Sequence, residues 1–242
     1  MNPLIMIPAR MAATRLPNKP LADIGGLPMI VRAYRQAEQS GLPVVVAAGD
    51  PEIVEAVEAA GGRAVLTDPA LPSGSDRIRA AVDAIDPEGD FDAVINVQGD
   101  MPFASPGLAT ACAAVLHGEP ACDIATLVAA EADVSDRTNP DVVKAVLALG
   151  EAERQGRALY FTRSTLYGDA PIWRHIGVYG YRRDALNRFC AAPQSPLERR
   201  EKLEQLRALE MGMQIWAAAI DTAPISVDNP ADLEAARRIA AG

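Results

Sequence analysis

The order of apolar runs and amphipathic stretches predicts an α/β protein. The expected architecture is a Rossmann-like, mostly parallel sheet with helices on both faces and a smaller embedded subdomain. Three observations carry this. Between residues 4 and 100, short β-branched runs alternate with stretches of helical period. The connections are brief and marked by Pro, Gly and Asp, which punctuate secondary structure. At 242 residues, the chain fits one large α/β domain or two small ones and is long enough to bury a real core.

The elements follow in order. LIMIPA (4–9) is an apolar strand running into a loop. MIVRAYRQAEQSG (29–41) reads as a helix, with Pro28 near its start and Gly41 past its end. PVVVAAGD (43–50) is a β-branched strand. Asp50 and Pro51 then cap a helix that Gly61 and Gly62 stop. RAVLT (63–67) is the next strand. SDRIRAAVDAI (75–85) is helical, with Ile78, Ala81, Val82 and Ile85 on one face. FDAVINVQGD (91–100) is a buried strand ending in polar residues. Such β-α-β-α-β order implies parallel neighbours joined by helical crossovers.

Beyond residue 120 the rhythm loosens. CDIATLVAA (122–130), VVKAVLAL (142–149) and RHIGVYGYRR (174–183) read as strands. SPLERREKLEQLRALEMG (195–212) reads as one strong helix opened by a capping box, with Ser195 at the cap, Pro196 next and Glu198 completing it. QIWAAAI (214–220) and a short segment near ISVD (225–228) read as strands. A final helix starts at Asn229 and Pro230. There is no linker or repeat, so the expectation is a single domain over 1–242 with a subdomain at roughly 150–212.

Composition narrows the function. The net charge of −9 offers no footprint for nucleic acid and disfavours an anionic membrane surface. No apolar run reaches the ~18 residues of a membrane span. MNPLIMIPAR lacks the basic start of a signal peptide. The three cysteines, Cys112, Cys122 and Cys190, are scattered and read as buried thiols. A cytoplasmic protein is expected.

In open parallel sheets, ligands gather at the carboxyl ends of strands. Three polar segments are expected there: PARMAATRLPNK (8–19), QGDMP (98–102) and VDNP (227–230). The first carries Arg10, Arg15 and Lys19 among small residues, which suits a multiply charged phosphate. It equally reads as a solvated basic loop. Neither a P-loop nor a GxGxxG is present, which disfavours a dinucleotide oxidoreductase. Asp100 and Asp228 are two carboxylates suited to Mg²⁺, or to acid–base work. The plainer readings are a turn residue for Asp100 and helix capping for Asp228. A non-catalytic nucleotide-binding regulator would not need both. His117, before Gly118, reads as a helix-end residue.

Taken together, IPARMAATRLPNKPL, SGSDR (73–77), INVQGDMP (95–102), NPDVVK (139–144), ALYFTRS (158–164), RHIGVYGYR (174–182), SPLERREKLEQLRALEMG and SVDNPADLE (226–234) resemble the 3-deoxy-manno-octulosonate cytidylyltransferase family. The likeness runs in order along nearly the whole chain. It implies a fold of the nucleotide-diphospho-sugar transferase type and a Mg²⁺-dependent coupling of CTP to the sugar acid Kdo, giving CMP-Kdo and pyrophosphate for lipopolysaccharide. It implies that Arg10, Arg15 and Lys19 hold the triphosphate, and that Ala9, Ser73 and Gly74 lie along cytosine and ribose. It further implies that Asp100 and Asp228 bind the metal, with Arg10, Lys19, Asp100 and Asp228 as the catalytic set. Gln98 would lie between nucleotide and sugar. Arg77, Arg163, His175, Tyr179, Glu204 and Gln205 would surround the sugar acid, and 174–212 would form a homodimer contact. The alternative substrate is a related acid, 8-amino-Kdo or a nonulosonic acid.

The chain departs from the family pattern at Met101, where Glu is common, and at Ser226, Asn229 and Ala231. The loop between Arg163 and His175 is short.

Overall fold

The computed structural model describes residues 1–12, 16–131, 133–149, 153–168 and 170–242. The chain divides into two compact units. Met1–Thr110 with Pro224–Gly242 form the first, and Ala111–Ala223 the second. Both are mixtures of sheet and helix.

The first unit holds β1 (Pro3–Ala9), the short β2 (Asp23–Ile24) and β3 (Leu27–Pro28), α1 (Met29–Glu38), β4 (Val44–Ala48), α2 (Pro51–Ala59), β5 (Ala64–Leu66), α3 (Gly74–Ile85) and β6 (Ala93–Asn96). Its main strands lie in the order β5-β4-β1-β6. Every pair is parallel, with Ile5 opposite Val44 on one side and opposite Ile95 on the other. Leu4, Ile5, Met6 and Ile7 are all buried. A strand covered on both faces needs such a continuous apolar run rather than alternation. The expected parallel order therefore holds in this unit.

β2 and β3 form an unexpected hairpin. Gly25 and Gly26 make its turn at φ +59° and +79°, a left-handed pair that suits the right-handed twist of the flanking strands.

The chain enters the second unit within α4 (Gly107–Gly118). There follow β7 (Ile124–Ala130), β8 (Lys144–Ala148), β9 (Gln155–Thr162), β10 (Trp173–Arg182), α5 (Arg183–Ala191), α6 (Pro196–Glu201), α7 (Gln205–Glu210) and β11 (Ile215–Ile220). β11 runs parallel to β7, while β10–β7, β11–β9 and β8–β9 are antiparallel. A mostly parallel sheet is thus a property of the first unit alone. α5 and β9 were not expected from the sequence.

Residues 195–212 are two short helices, not one. The capping box forms as expected: Ser195 Oγ accepts from Glu198 N at 3.3 Å and Glu198 Oε2 accepts from Ser195 N at 3.1 Å. The helix then breaks at Lys202, which adopts a left-handed φ of +55°. In a continuous helix, Glu198 and Arg207 would sit ~13 Å apart along the axis. The break instead brings Arg207 Nη2 to 2.7 Å from Glu198 Oε1, with both side chains buried. Leu203 and Leu206 are buried at the same corner.

The last segment returns to the first unit. ISVD makes no strand, contrary to expectation; Val227 N instead donates to the Asp100 carbonyl at 2.9 Å. α8 (Pro230–Ala241) opens with a capping box between Asn229 and Asp232. Its Leu233 and Ala236 pack with Ile24, Met29 and Val227 in one apolar cluster. Among the described residues, no helix is long and apolar enough to cross a membrane.

Candidate active site

The carboxyl end of β1 is where the first unit opens. A cavity of about 320 Å³ is lined there by Pro8, Ala9, Arg10, Ala12, Lys19, Pro20, Met29, Gln98, Gly99 and Asp100. A smaller one of about 150 Å³ shares Pro8, Ala9, Arg10 and Gln98, and adds Leu71, Ser73, Gly74 and Arg77. Backbone geometry explains the shared wall. Gly99 passes so close to β1 that a Cβ there would lie 3.2 Å from the Pro8 carbonyl and 3.1 Å from Ile30 Cδ1. Glycine lets the loop after β6 lie this close to β1, where a Cβ would push its neighbours back by a few tenths of an ångström.

Met11 N donates to Asp50 Oδ2 at 2.7 Å, which fastens the start of the basic loop to the start of α2. Asp50 stands at the expected cap position, yet its carboxylate makes no capping hydrogen bond to its own helix. Arg10 is exposed at the loop's start. Arg15, with Ala13 and Thr14, lies outside the described residues.

Lys19 begins a short 3₁₀ turn, Lys19–Leu21, entered through Asn18 at φ +56° and anchored by buried Pro20. Its Nζ donates to Asp100 Oδ2 at 2.9 Å and to Asp228 Oδ1 at 3.0 Å. Neither carboxylate lies at a strand end, as had been expected. Asp100 is in the loop after β6, and the Val227 bond to its carbonyl draws in the segment bearing Asp228. Nor is Asp228 the helix cap: Asn229 takes that place, and Asp232 Oδ2 accepts from the Asp228 amide at 2.9 Å. Ser226 Oγ donates to Asp228 Oδ2 at 3.1 Å.

The electrostatics follow from this crowding. Burial opposes the charge on Lys19, but Asp100 and Asp228 outweigh it and raise its pKa. Burial raises the Asp100 pKa, with Lys19 opposing and the like charge of Asp228 adding to the rise.

Ser73 is spent on capping α3, accepting from Asp76 N at 3.1 Å and donating to Asp76 Oδ2 at 2.7 Å. The positive end of the α3 dipole thus lies at the smaller cavity and favours anionic or electron-rich groups. Arg77 is buried rather than displayed. Its Nη1 donates to Thr67 Oγ1 at 2.5 Å and to the Asp68 carbonyl at 3.2 Å. A Cβ at Gly49 would collide with its guanidinium at 2.7 Å. Burial, then the nearby charge of Arg10, lower its pKa.

The second unit gathers another group of expected residues. His175 hydrogen-bonds through Nε2 with Thr126 Oγ1 at 2.9 Å, and its ring packs edge-on to Phe161 at 5.0 Å. Burial lowers its pKa to about 4, so the imidazole is neutral at pH 7. A register shift in β10 between Ile176 and Tyr179 accompanies a centroid distance of 5.4 Å between the His175 and Tyr179 rings. Tyr179 OH donates to Gln205 Oε1 at 3.3 Å. Burial, then the charge of Glu204, push the phenol pKa up. Gln205 Nε2 is buried and has no hydrogen-bond partner among the described residues. Glu204 Oε1 lies 3.5 Å from Arg207. Arg163 Nη1 donates to the Pro140 carbonyl at 2.9 Å.

Sequence reading missed Thr126, Asp50, Ser226 and the Glu198–Arg207 pair. Thr126 left a signal as a polar residue inside the apolar run IATLVAA, whereas the sequence marks Asp50, Ser226 and Glu198 only for other roles.

The chain is similar to known proteins along nearly its whole length. Residues 4–215 match the family model described as cytidylyltransferase. The 3-deoxy-manno-octulosonate cytidylyltransferase of Paramagnetospirillum magneticum is 57% identical over 99% of this chain and 98% of its own. That of Parvibaculum lavamentivorans is 59% identical over 98% and 92%. A solved CMP:2-keto-3-deoxy-manno-octonic acid synthetase complexed with CTP superposes with a TM-score of 0.91 at 36% identity, covering 100% of this chain and 99% of that one. A 4-diphosphocytidyl-2C-methyl-D-erythritol synthase from Anaerococcus prevotii shares the fold alone, with a TM-score of 0.67 at 11% identity.

Proposed function

The chain belongs to the 3-deoxy-manno-octulosonate cytidylyltransferase family, and from that premise we propose how its residues divide the work. The enzyme couples CTP to the anomeric hydroxyl of Kdo, giving CMP-Kdo and pyrophosphate. The anomeric oxygen attacks the α-phosphorus of CTP. The bond to the β-phosphoryl oxygen breaks, pyrophosphate leaves, and the hydroxyl proton passes to solvent.

The obstacle is charge. A weak nucleophile carrying its own carboxylate must approach a triphosphate bearing about four negative charges, so catalysis is largely positioning and electrostatic stabilisation. Arg10, Arg15 and Lys19 supply cations to the phosphates. Ala9, Ser73 and Gly74 line the base and ribose, and Gln98 stands between nucleotide and sugar. His175, Tyr179, Glu204, Gln205 and Arg163 form the sugar-acid side. For Arg77 the buried bonds to the 67–68 loop favour stiffening of the nucleotide wall over direct contact with sugar.

The observation that carries this reading is the meeting of Lys19, Asp100 and Asp228 beside the β1 cavity. The two carboxylates already share one cation at about 3 Å, and among the described residues no third His, Cys, Asp or Glu joins them. Hard oxygens, few protein ligands and room for substrate phosphates fit Mg²⁺. Asp100 and Asp228 would hold Mg²⁺, which would supply charge neutralisation for the phosphates and a lowered pKa for the attacking hydroxyl.

We further propose a cytoplasmic homodimer whose 150–212 subdomain provides both the sugar side and the subunit contact. Pyrophosphate release across a panel of nucleoside triphosphates and sugar acids, with and without Mg²⁺, tests the whole reading. Release is expected with CTP, Kdo and Mg²⁺ together. Preference for 8-amino-Kdo or a nonulosonic acid would move the substrate. No CTP-dependent release with any keto-acid sugar would overturn the function.

A further inference from the structure

We propose that Lys19 is a place-holding cation. In the nucleotide-free protein its ammonium occupies the gap between Asp100 and Asp228 and keeps free divalent metal out until CTP arrives. This rests on the reading of that carboxylate pair as the metal site.

The geometry supports competition rather than simple support. Lys19 Nζ contacts one oxygen of each carboxylate, at 2.9 and 3.0 Å. The Lys19 side chain is 16% exposed and that of Asp100 27%, so solvent screens this pair less than the Lys19–Asp228 pair, where Asp228 is 49% exposed. A divalent ion reaching the pair must displace a cation that is covalently tethered and therefore always present at high effective concentration. Free metal pays that penalty without compensation.

A metal–nucleotide complex does not. Lys19 also lines the cavity that holds Arg10 and Gln98. Its backbone is anchored by the 3₁₀ turn and buried Pro20, so the side chain can rotate while the turn stays in place. A triphosphate in that cavity gives the ammonium a new anionic partner as it releases the carboxylates. Metal and nucleotide binding are then positively coupled, and by linkage each strengthens the other equally. The same side chain serves first as counter-ion to the two carboxylates and then as a ligand of the substrate.

The test is Mn²⁺ binding to the full chain, followed by electron paramagnetic resonance of the free ion. Wild type, Lys19→Met, Lys19→Gln and Lys19→Arg are compared without nucleotide. Both neutral variants are expected to bind one Mn²⁺ roughly tenfold or more tightly than wild type, since a cation in direct contact has been removed. Lys19→Arg is expected to stay near wild type. Mn²⁺ is also expected to raise the melting temperature of the neutral variants more than that of wild type. Two neutral variants are used so that misfolding of one leaves a result. Affinity in both equal to or weaker than wild type overturns the proposal. A separate arm uses CTP-loaded wild type against Asp100→Asn and Asp228→Asn. Unchanged Mn²⁺ affinity there overturns the metal-site reading itself, and the two failures are thereby distinguished.

Discussion

At the scale of single residues, the proposed metal site rests on the carboxylates of Asp100 and Asp228. Asparagine keeps the size and a hydrogen-bonding oxygen but removes the charge that a hard cation requires. Asp100→Asn and Asp228→Asn are each expected to lower turnover by about 10²-fold or more, while CTP affinity changes less than about tenfold. Pyrophosphate release and equilibrium CTP binding measure the two separately. Wild-type turnover in either variant would remove that residue from the metal site. In the sequence these aspartates read equally as a turn and a cap. What distinguishes them is a backbone bond, Val227 N to the Asp100 carbonyl, between residues with no local relation.

At the scale of elements, the corner between α6 and α7 is held by the buried Glu198–Arg207 pair, reinforced by Arg207 over the Phe189 ring at 4.5 Å. Removing one partner strands a buried charge. Arg207→Leu is expected to destabilise the protein by about 3–5 kcal/mol, and Glu198→Leu combined with Arg207→Leu is expected to recover much of that loss. Denaturant unfolding of the three proteins makes the comparison. A double variant as unstable as the single would show that packing, not charge, holds the corner. Local signals placed the capping box correctly because Ser195, Pro196 and Glu198 act over a single turn. They did not reveal the break at Lys202, because residues 195–212 have strong helix formers throughout and the break serves a partner nine positions away.

At the scale of the whole molecule, two observables follow from burial. Cys112 and Cys122 are buried, and burial pushes the Cys122 thiol up to about 12. Cys190 is half-buried, contrary to the expectation of three buried thiols. A thiol reagent is expected to label one cysteine per native chain, at Cys190, and all three after unfolding. Rapid labelling of a second thiol in the native protein would contradict the packing of the second unit. The other observable is pH. His175 titrates near 4 in the folded protein and near 6.5 when unfolded. Between those values the unfolded chain binds a proton that the folded one refuses, so stability is full above about pH 6.5 and falls as the solution is acidified toward pH 4. The loss attributable to this one group is on the order of 3 kcal/mol. Urea unfolding at several pH values should show the slope in wild type and a shallower one in His175→Gln. An identical slope would place the titration elsewhere.

The sequence by itself determined what depends on neighbours along the chain. The buried runs of β1, β4 and β6, the crossover helices between them and the capping box at Ser195 follow from periodicity and cap chemistry. The family followed from motifs in order. Tertiary structure decided what depends on residues far apart. It drew the C-terminal segment onto Asp100, turned Arg77 inward onto the 67–68 loop, and paired His175 with Thr126. The physical reason is range: propensity and capping act within a turn or two, whereas Lys19 meets Asp100 and Asp228 across separations of 81 and 209 residues, which only the packed fold brings within 3.0 Å.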